Sequence, residues 1–279
     1  MARPVSISLV TSCFNAAKLL PVTLRSIRQQ TLLLDPEASF EYIIVDAASS
    51  DRSLEVIREV AGDLPVSIFS EPDQGVYDGL AKGFARCQGD VIGYLNAGDF
   101  LFPTALEVLR DAFTDTAAGW MTGYSTLANE KWQPWRTDLP FKFRKKFFLN
   151  GIHGTFLPTL QQESTFWRRE LMEDLDWSRF RKLKLAGDFL LWQHFSQSEP
   201  PAILHSLVGA FCAHSGQLSE DNSHYVKELR TLCRPPTLAE STLACWDRFL
   251  WKSPQGIKSR LSGRRHIAYD PALSKYIFK

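Results

Sequence analysis

The chain has 279 residues, 44% of them hydrophobic, which is enough for one large domain or for a domain with an appendage. Its 32 Lys and Arg residues against 31 Asp and Glu residues leave a net charge of +1, which argues against a nucleic-acid partner. Five cysteines, an odd number without C-x-x-C spacing, argue against a disulfide framework or a zinc site and favour a reducing compartment.

Nothing in the hydropathy pattern predicts membrane insertion. The first apolar run is too short for a signal peptide. No stretch reaches the roughly 20 apolar residues that a membrane-spanning helix needs. We therefore expect a cytoplasmic protein.

Short apolar runs alternate with amphipathic segments in the first half of the chain. The runs predict strands at 6–11, 42–45, 66–69 and 91–95. Helical spacing of apolar residues follows each run, at 18–29, 54–60, 76–87 and 103–113. This alternation predicts an α/β fold with a mostly parallel sheet flanked by helices.

The alternation ends near Gly119, where aromatic residues become frequent, and a helix is next predicted over 185–195. The Arg234–Pro236 segment is a candidate linker to a basic, aromatic C-terminal extension. The predicted organisation is an α/β half at 1–118, an irregular second half of the same domain at 119–233 and the extension at 234–279.

Carboxylates follow several of the predicted strands. Asp46 ends the second strand, where it can bind a nucleobase N–H or a ribose hydroxyl, or belong to a turn that caps the next helix. Asp99 ends the N-A-G-D loop after the fourth strand. It suits a divalent cation that carries a diphosphate, and the alternative is a simple Asx turn.

Two further segments carry candidate groups. Three carboxylates crowd the turn at 70–78, and Gly79 and Gly83 leave one helix face bare for close packing by the sheet or by a ligand. Asp188 stands at the start of an apolar helix. It either caps that helix or is partly desolvated, which would raise its pKa and suit it to proton abstraction.

Six segments, taken in order, resemble the family 2 glycosyltransferases with a GT-A (Rossmann-like) fold, of the type that acts in bacterial polysaccharide biosynthesis. They are I-S-L-V-T-S-C-F-N-A, I-I-V-D-A-A-S-S-D-R-S, E-P-D-Q-G-V-Y-D-G-L-A-K-G, G-D-V-I-G-Y-L-N-A-G-D-F, Q-E-S-T-F-W-R-R-E-L and L-A-G-D-F-L-L-W. The resemblance covers about residues 5 to 220.

The resemblance implies inverting transfer of a sugar from a nucleotide-diphosphate sugar to a hydroxyl of a lipid-linked glycan in surface polysaccharide biosynthesis. Asp188 would be the general base, and Asp99 would bind Mg²⁺ or Mn²⁺. His214 would contact the metal or the diphosphate. The implied donor-site residues are Thr11, Asn15, Asp46, Asp78 and Asn96. The implied acceptor-site residues are Gln162 and Glu163. UDP is the favoured nucleotide, with GDP and dTDP as alternatives.

Two positions depart from the family pattern, and two other functions stay open. Gly98 stands where a first metal-binding acid is common, and Ala81 replaces a frequent Asn of the donor helix. One alternative is a degenerate protein that binds a nucleotide sugar or a glycan without turnover. The other is a sugar nucleotidyltransferase, although the loop after the first strand lacks the glycines of that class.

Cations and aromatic residues alternate at 141–148 and again between Arg248 and Arg265. Such segments can lie in the headgroup region of an anionic membrane. The alternative is a solvated face whose aromatic residues turn into the core. The first interpretation predicts a peripheral position at the inner face of the cell membrane.

Overall fold

The structure is a computed structural model that describes residues 3–213, 222–261 and 265–279. The strands are β1 (Ile7–Cys13), β2 (Phe40–Asp46), β3 (Val66–Ser70), β4 (Val91–Tyr94), β5 (Phe100–Leu101), β6 (Trp120–Thr122), β7 (Ser125–Ala128), β8 (Pro134–Asp138), β9 (Thr165–Arg168), β10 (Ala202–Leu204), β11 (Gly209–Cys212), β12 (His266–Asp270) and β13 (Lys275–Phe278). The helices are α1 (Leu20–Arg28), α2 (Ser53–Ala61), α3 (Val76–Phe84), α4 (Ala105–Asp115), α5 (Lys145–Leu149), α6 (Ile152–Thr155), α7 (Trp177–Lys182), α8 (Gly187–Phe195), α9 (Asn222–Leu232), α10 (Leu238–Trp251) and α11 (Gln255–Leu261).

A large sheet forms the centre of the molecule, with strand order β13-β12-β10-β6-β9-β4-β1-β2-β3. The strands β4, β1, β2 and β3 run parallel to one another, and β9 is antiparallel to both β4 and β6. A smaller sheet has the order β5-β11-β7-β8. The predicted α/β class with a mostly parallel sheet is therefore confirmed.

β1 is buried on both faces because helices cover the sheet on both sides. Its side chains alternate between two cores, as the pleat of a strand requires. Ile7 and Leu9 pack with α1, α2 and α4, whereas Val10 packs with α3 and α8. A strand in this position needs an apolar residue at nearly every position, which explains the continuous apolar runs of the first half.

The two glycines of α3 bring that helix directly onto β1. A methyl group on Gly79 would overlap the Ser12 hydroxyl, and one on Gly83 would overlap the side chain of Val10. Close packing against the sheet therefore explains both glycines, each of which costs a helix about 1 kcal/mol relative to Ala.

Aromatic residues fill the core of the second half. Trp120 of β6 and Trp192 of α8 stack with centroids 5.7 Å apart, and Trp167 meets Trp192 edge-on at 5.8 Å. Phe195 packs against Trp120 at 5.6 Å. This cluster ties α8 firmly to the sheet.

The C-terminal segment contributes to the large sheet. β12 pairs in parallel with β10, and β13 closes an antiparallel hairpin on β12. The segment Arg234–Pro236 is a loop between α9 and α10, fixed by an ion pair of 2.6 Å between Arg234 and Glu240. Glu240 also completes a capping box with Thr237 at the start of α10.

The two basic, aromatic segments differ in exposure. In the first, the four phenylalanines are buried, and Arg144 forms an ion pair with buried Asp247, so these aromatic rings belong to the core. The helix α10, which overlaps the start of the second segment, has an exposed apolar stripe formed by Leu238, Trp246 (59% exposed) and Phe249 (67% exposed). None of the helices in the described ranges is long and apolar enough to cross a membrane.

Candidate active site

The carboxyl ends of β1, β2 and β4 meet at one edge of the large sheet, the usual ligand-binding edge of an open α/β sheet. Cys13 at the end of β1 pairs in register with Asp46 at the end of β2. The loop after β4 carries Asn96 and Asp99 to the same edge.

Asp46 is fully buried, and most of its hydrogen-bonding capacity is used. Its Oδ2 accepts hydrogen bonds from the Ser49 N–H at 3.0 Å and from the Ser70 hydroxyl at 2.7 Å. Its Oδ1 contacts the Cys13 thiol at 3.8 Å. Burial, then repulsion by Asp46, raises the pKa of Cys13 to about 12, so Cys13 stays a neutral thiol beside this carboxylate.

Asn15 and Thr11 support the edge in different ways. Asn15 has a left-handed backbone with φ 48°, and its Oδ1 accepts hydrogen bonds from the backbone N–H groups of Ser50 and Asp51 at 2.9 and 3.2 Å. Thr11 is buried, donates to the Leu95 carbonyl at 2.7 Å and accepts from the Tyr42 hydroxyl at 2.9 Å. Asn15 thus lies at the open edge, whereas Thr11 lies behind it.

The turn before α3 holds two acids in different environments. Asp78 accepts from the Gln74 N–H at 3.1 Å and forms an ion pair of 3.0 Å with Arg181, so both of its oxygens have partners. Asp73 keeps a buried Oδ2 without a hydrogen-bond partner among the described residues. Burial raises the pKa of Asp73, and the charges of Asp78 and Asp46 raise it further.

Asp99 and Glu163 form a buried acidic pair. Asp99 is 4% exposed, and burial raises its pKa to about 7 although its Oδ1 accepts a hydrogen bond of 2.9 Å from the Cys212 N–H. Glu163 is 1% exposed; burial, then repulsion by Asp99, raises its pKa well above the usual range. Its Oε1 has no hydrogen-bond partner in the described part of the chain. Two carboxylates so placed favour either a proton or a cation between them.

The loop that carries Asp99 is held from both sides. Gly98 has φ 104°, and its N–H donates to the hydroxyl of Thr23, which itself donates to the Asp99 carbonyl at 2.8 Å. Gln162 donates its amide N–H to the Tyr94 carbonyl and accepts from the Asn96 side chain, both at 3.1 Å. The structure therefore brings Asn96, predicted for the donor, into direct contact with Gln162, predicted for the acceptor.

Asp188 lies in the first turn of α8 and is partly exposed. Its Oδ1 accepts a hydrogen bond of 2.7 Å from the Phe189 N–H, and the Tyr225 hydroxyl of α9 faces it. Burial, opposed by these hydrogen bonds and assisted by the charge of Glu228, raises the pKa of Asp188 to about 7. A carboxyl group with this pKa suits general-base catalysis near neutral pH.

The backbone that leads into α8 is clamped between two helices. Glu228 of α9 accepts hydrogen bonds from the N–H groups of Lys184 at 2.9 Å and of Leu185 and Ala186, each at 2.7 Å. Tyr77 of α3 donates to the Leu185 carbonyl at 2.7 Å. The position of Asp188 is therefore coupled to the helices α3 and α9.

Three of these groups have no assigned role in the sequence analysis. Asp73 appears there only as one of three crowded carboxylates, and Tyr225 and Glu228 do not appear. No local pattern marks the last two, because their partners Asp188 and residues 184–186 lie about 40 positions earlier in the chain. Helical spacing with Leu229 and Leu232 predicts only a packed helix.

Within the described ranges, no group of three or more His, Cys, Asp and Glu side chains is arranged to hold a metal ion. Asp99 and Glu163 provide two carboxylates. His214, predicted as a further ligand, lies outside the described residues.

Comparisons with known proteins identify the family of the chain. A sequence model described as glycosyl transferase family 2 matches residues 8–175. A "PGL/p-HBAD biosynthesis glycosyltransferase" of Mycobacterium bovis (strain BCG / Pasteur 1173P2) is 34% identical over 104 residues, which are 37% of this chain and 38% of that protein. The matched region thus spans well under half of this mycobacterial relative.

Solved structures share the fold at low sequence identity. The S. aureus TarS 1-349 structure in complex with UDP-GlcNAc matches with a TM-score of 0.60 and 14% identity, over 91% of this chain and 70% of that chain. The mannosyltransferase PcManGT from Pyrobaculum calidifontis, in complex with GDP-Man and Mn²⁺, matches with a TM-score of 0.53 and 14% identity, over 92% of this chain and 83% of that chain. These likenesses bear on the GT-A fold alone.

Proposed function

The chain belongs to glycosyl transferase family 2, and on that premise we propose that it is an inverting glycosyltransferase. It would move a sugar from a nucleotide-diphosphate sugar to a hydroxyl group of a glycan. The observation that supports the proposal is a group of three acids: Asp99 on the loop after β4, the buried Glu163, and the partly exposed Asp188 at the start of α8. The charges of Asp99 and Asp188 both raise the pKa of Glu163.

The donor nucleotide would lie over the ends of β1 and β2, in the half spanning 1–118. Asp46 Oδ1 contacts only the weak donor of the Cys13 thiol among the described residues, which leaves it available to a base or ribose donor. Asn15 would hold the neighbouring loop in place through its bonds to Ser50 and Asp51. The TarS complex with UDP-GlcNAc and the PcManGT complex with GDP-Man support a nucleotide-sugar donor.

The acidic pair fits a divalent cation, Mg²⁺ or Mn²⁺. Glu163 Oε1 is buried without a partner among the described residues, and the pKa of Asp99 and of Glu163 is raised, as expected for carboxylates that lack a counter-charge. Asp99 and Glu163 would hold the cation. When bound, it would supply positive charge to the diphosphate leaving group.

The remaining steps belong to side chains of the second half, 119–233. Asp188 would take the proton of the acceptor hydroxyl, and that oxygen would attack the anomeric carbon from the face opposite the diphosphate. The bond to the diphosphate would break, the nucleoside diphosphate would leave, and the configuration would invert. Gln162 would orient the acceptor at the boundary with Asn96, and Tyr225 would orient Asp188.

A lipid-linked acceptor would bring the enzyme to an anionic membrane surface. The exposed stripe of α10 supports this proposal, and its largest residues are Trp246 and Phe249. Arg248 lies on the same helix, and Lys252 directly follows its last residue, so cations accompany the apolar stripe. Replacing Trp246 and Phe249 by Ser should reduce sedimentation with phosphatidylglycerol vesicles. Unchanged sedimentation would contradict the membrane proposal. Point variants are preferable to deletion of the C-terminus, which would remove β12 and β13 from the sheet.

Thermal unfolding with UDP, GDP, dTDP and CMP, each with and without Mn²⁺, tests the donor site. A ligand at 100 times its dissociation constant adds about 2.7 kcal/mol of stability. We expect one nucleoside diphosphate to stabilise the protein strongly only with the cation. Stabilisation by none of them would contradict the proposed function.

Asp188→Asn then separates an enzyme from a protein that only binds the donor. We expect this variant to keep the donor-dependent stabilisation and to lose release of the nucleoside diphosphate in the presence of acceptor glycans. Turnover that survives the substitution would rule out Asp188 as the base. A wild-type protein that binds the donor without turnover would support the degenerate binding protein instead.

A further inference from the structure

Apart from the candidate active site, the structure has a cleft of about 470 Å³ between the β7–β8 hairpin and the helices α10 and α11. Four cationic side chains line it: Arg136, Arg248, Lys252 and Lys258. Asp138, the acid in its wall, is already in an ion pair of 2.6 Å with Arg136. We call this region the basic cleft; the formal charge of its lining is +3.

One acid serves several cations of the basic cleft. The charge of Asp138, already in the ion pair with Arg136, also acts on Lys258, which is 8% exposed and donates to the Leu139 carbonyl at 2.9 Å. Arg248 of α10 lies over the Phe156 ring at 4.6 Å. Neither Arg248 nor Lys252 forms an ion pair with any described residue. The positive charge of the cleft thus exceeds its negative charge, and an anionic ligand would compensate the excess.

Aromatic and polar groups complete the cleft. Phe143, Phe156 and Trp251 line it, and aromatic faces of this kind commonly pack against sugar rings. Arg136, Arg248 and Lys252 provide charged donors beside these rings. The lining therefore combines surfaces for a sugar with donors for a phosphate.

The lining of the basic cleft adjoins the candidate active site. Thr159 and Gln161 line the cleft, and Gln161 directly precedes Gln162 in the chain. Thr159 neighbours Tyr225, and Tyr225 in turn neighbours Asp188. Thr159 and Tyr225 thus lie between the cleft and the proposed base.

We propose that the basic cleft binds the phosphate group of the acceptor, so that the acceptor is a phosphate-bearing glycan. This inference rests on the proposed function. The phosphate comes either from the diphosphate of a lipid-linked glycan or from the phosphodiester of a soluble polymer. The lipid-linked form is the one that also uses the exposed stripe of α10, since Phe249 adjoins Arg248 in the chain.

Binding of inorganic diphosphate, measured calorimetrically in EDTA, tests the cleft separately from the donor site. EDTA removes the divalent cations that would hold a diphosphate at Asp99. We expect saturable binding to the wild-type protein, weakened at least about tenfold by Arg248→Gln and Lys252→Gln together, since the loss of a single charge-assisted bond already corresponds to about tenfold. Arg260→Gln, on α11 but outside the cleft, is the matched control and should bind as the wild type does.

Equal binding by the wild type and the double variant would overturn the proposal, as would no binding to the wild type. Stabilisation by a nucleoside diphosphate with Mn²⁺ should stay unchanged in the double variant. If that stabilisation is absent from the wild type as well, the proposed function fails while the diphosphate result still stands.

Vesicles distinguish the two sources of phosphate. Addition of a lipid diphosphate, such as undecaprenyl diphosphate, to phosphatidylcholine vesicles should increase sedimentation of the wild type and not of the double variant if the acceptor is lipid-linked. Diphosphate binding in solution without added sedimentation would identify the soluble phosphodiester polymer as the acceptor. Sedimentation with phosphatidylglycerol but no binding of inorganic diphosphate would overturn the cleft proposal in favour of a membrane surface alone.

Discussion

Glu228 holds the backbone that positions Asp188. One carboxylate on α9 accepts three hydrogen bonds of 2.7 to 2.9 Å from consecutive N–H groups, those of residues 184–186, two residues before Asp188. The same carboxylate raises the pKa of Asp188 through its charge. Glu228 therefore acts on the proposed base in two ways that a substitution can separate.

Glu228→Gln should lower kcat by about 10- to 100-fold with little change in the donor KM, because displacement of a catalytic group by about 1 Å costs rate rather than donor binding. Loss of the negative charge should also shift the apparent pKa of the rate profile downward. A variant with an unshifted profile would assign Glu228 a structural role only. Lys227→Gln, on an exposed neighbouring position, is the control.

The rate of transfer should rise with pH through about 7, since Asp188 is active only when deprotonated and its pKa is raised to about 7. The charge of Glu228 and the hydroxyl of Tyr225 act on the pKa of Asp188, and the charge of Asp188 raises the pKa values of Tyr77, Tyr94 and Glu163. Initial rates between pH 5.5 and 8.5 check this expectation. A rate that falls over this range would contradict the assignment of Asp188 as the base.

Asp99→Asn should stabilise the metal-free protein at alkaline pH. The folded pKa of Asp99, about 7, lies above its ordinary value of 3.8, so its ionisation opposes folding increasingly as the pH rises from about 4 to 7. Each unit of difference between the folded and unfolded pKa corresponds to about 1.4 kcal/mol in the free energy of unfolding. Thermal unfolding in EDTA should therefore show the largest gain in Tm at pH 8 and a smaller gain at pH 5.

Asp90→Asn is the control of opposite sign for that experiment. A backbone hydrogen bond from Ser6 is the main cause of the lowered pKa of Asp90, so its ionised form favours folding. Its substitution should lower Tm at pH 8. A gain in Tm for both variants would show that removal of any negative charge stabilises the protein, which would contradict the specific explanation for Asp99.

Asp46→Asn should weaken binding of nucleoside diphosphates by about tenfold, because an amide cannot replace a carboxylate as acceptor for a base or ribose donor. Binding of inorganic diphosphate with Mn²⁺ should stay unchanged. Isothermal titration calorimetry of both ligands checks the difference, with exposed Asp63→Asn as the control. An equal loss for both ligands would mean that Asp46 supports the whole edge and does not contact the nucleoside.

The first half of the fold was predictable because it is built from local patterns. β1, β2 and β4 are buried on both faces, so their sequences are continuous apolar runs, and the polar residue that ends each run marks the sheet edge. The structure places Asp46 and Asp99 at the edge where this rule predicts them, and their roles there stay predictions. Thr11 does not follow the rule, because it lies near the end of β1 but is enclosed behind the edge.

The second half was not predictable in the same way. β6 and β10 have three residues each, which are too few to show a hydrophobic period. β12 pairs with β10, although the two strands are more than 60 residues apart in the chain. Glu228 and Tyr225 depend on equally distant contacts. The position of Asp188 in the first turn of a helix was predictable because the small residues before it and the apolar residues after it are local features.

The stacked pair Trp120 and Trp192 gives the second half of this protein a characteristic circular dichroism signal. Two indoles 5.7 Å apart at an interplanar angle of 17°, held rigidly in the core, should dominate the near-ultraviolet circular dichroism. Trp192 lies one helical turn after Asp188 on α8. A variant of Asp188 that keeps this spectrum has kept the helix in place, so its loss of turnover can be read as chemistry.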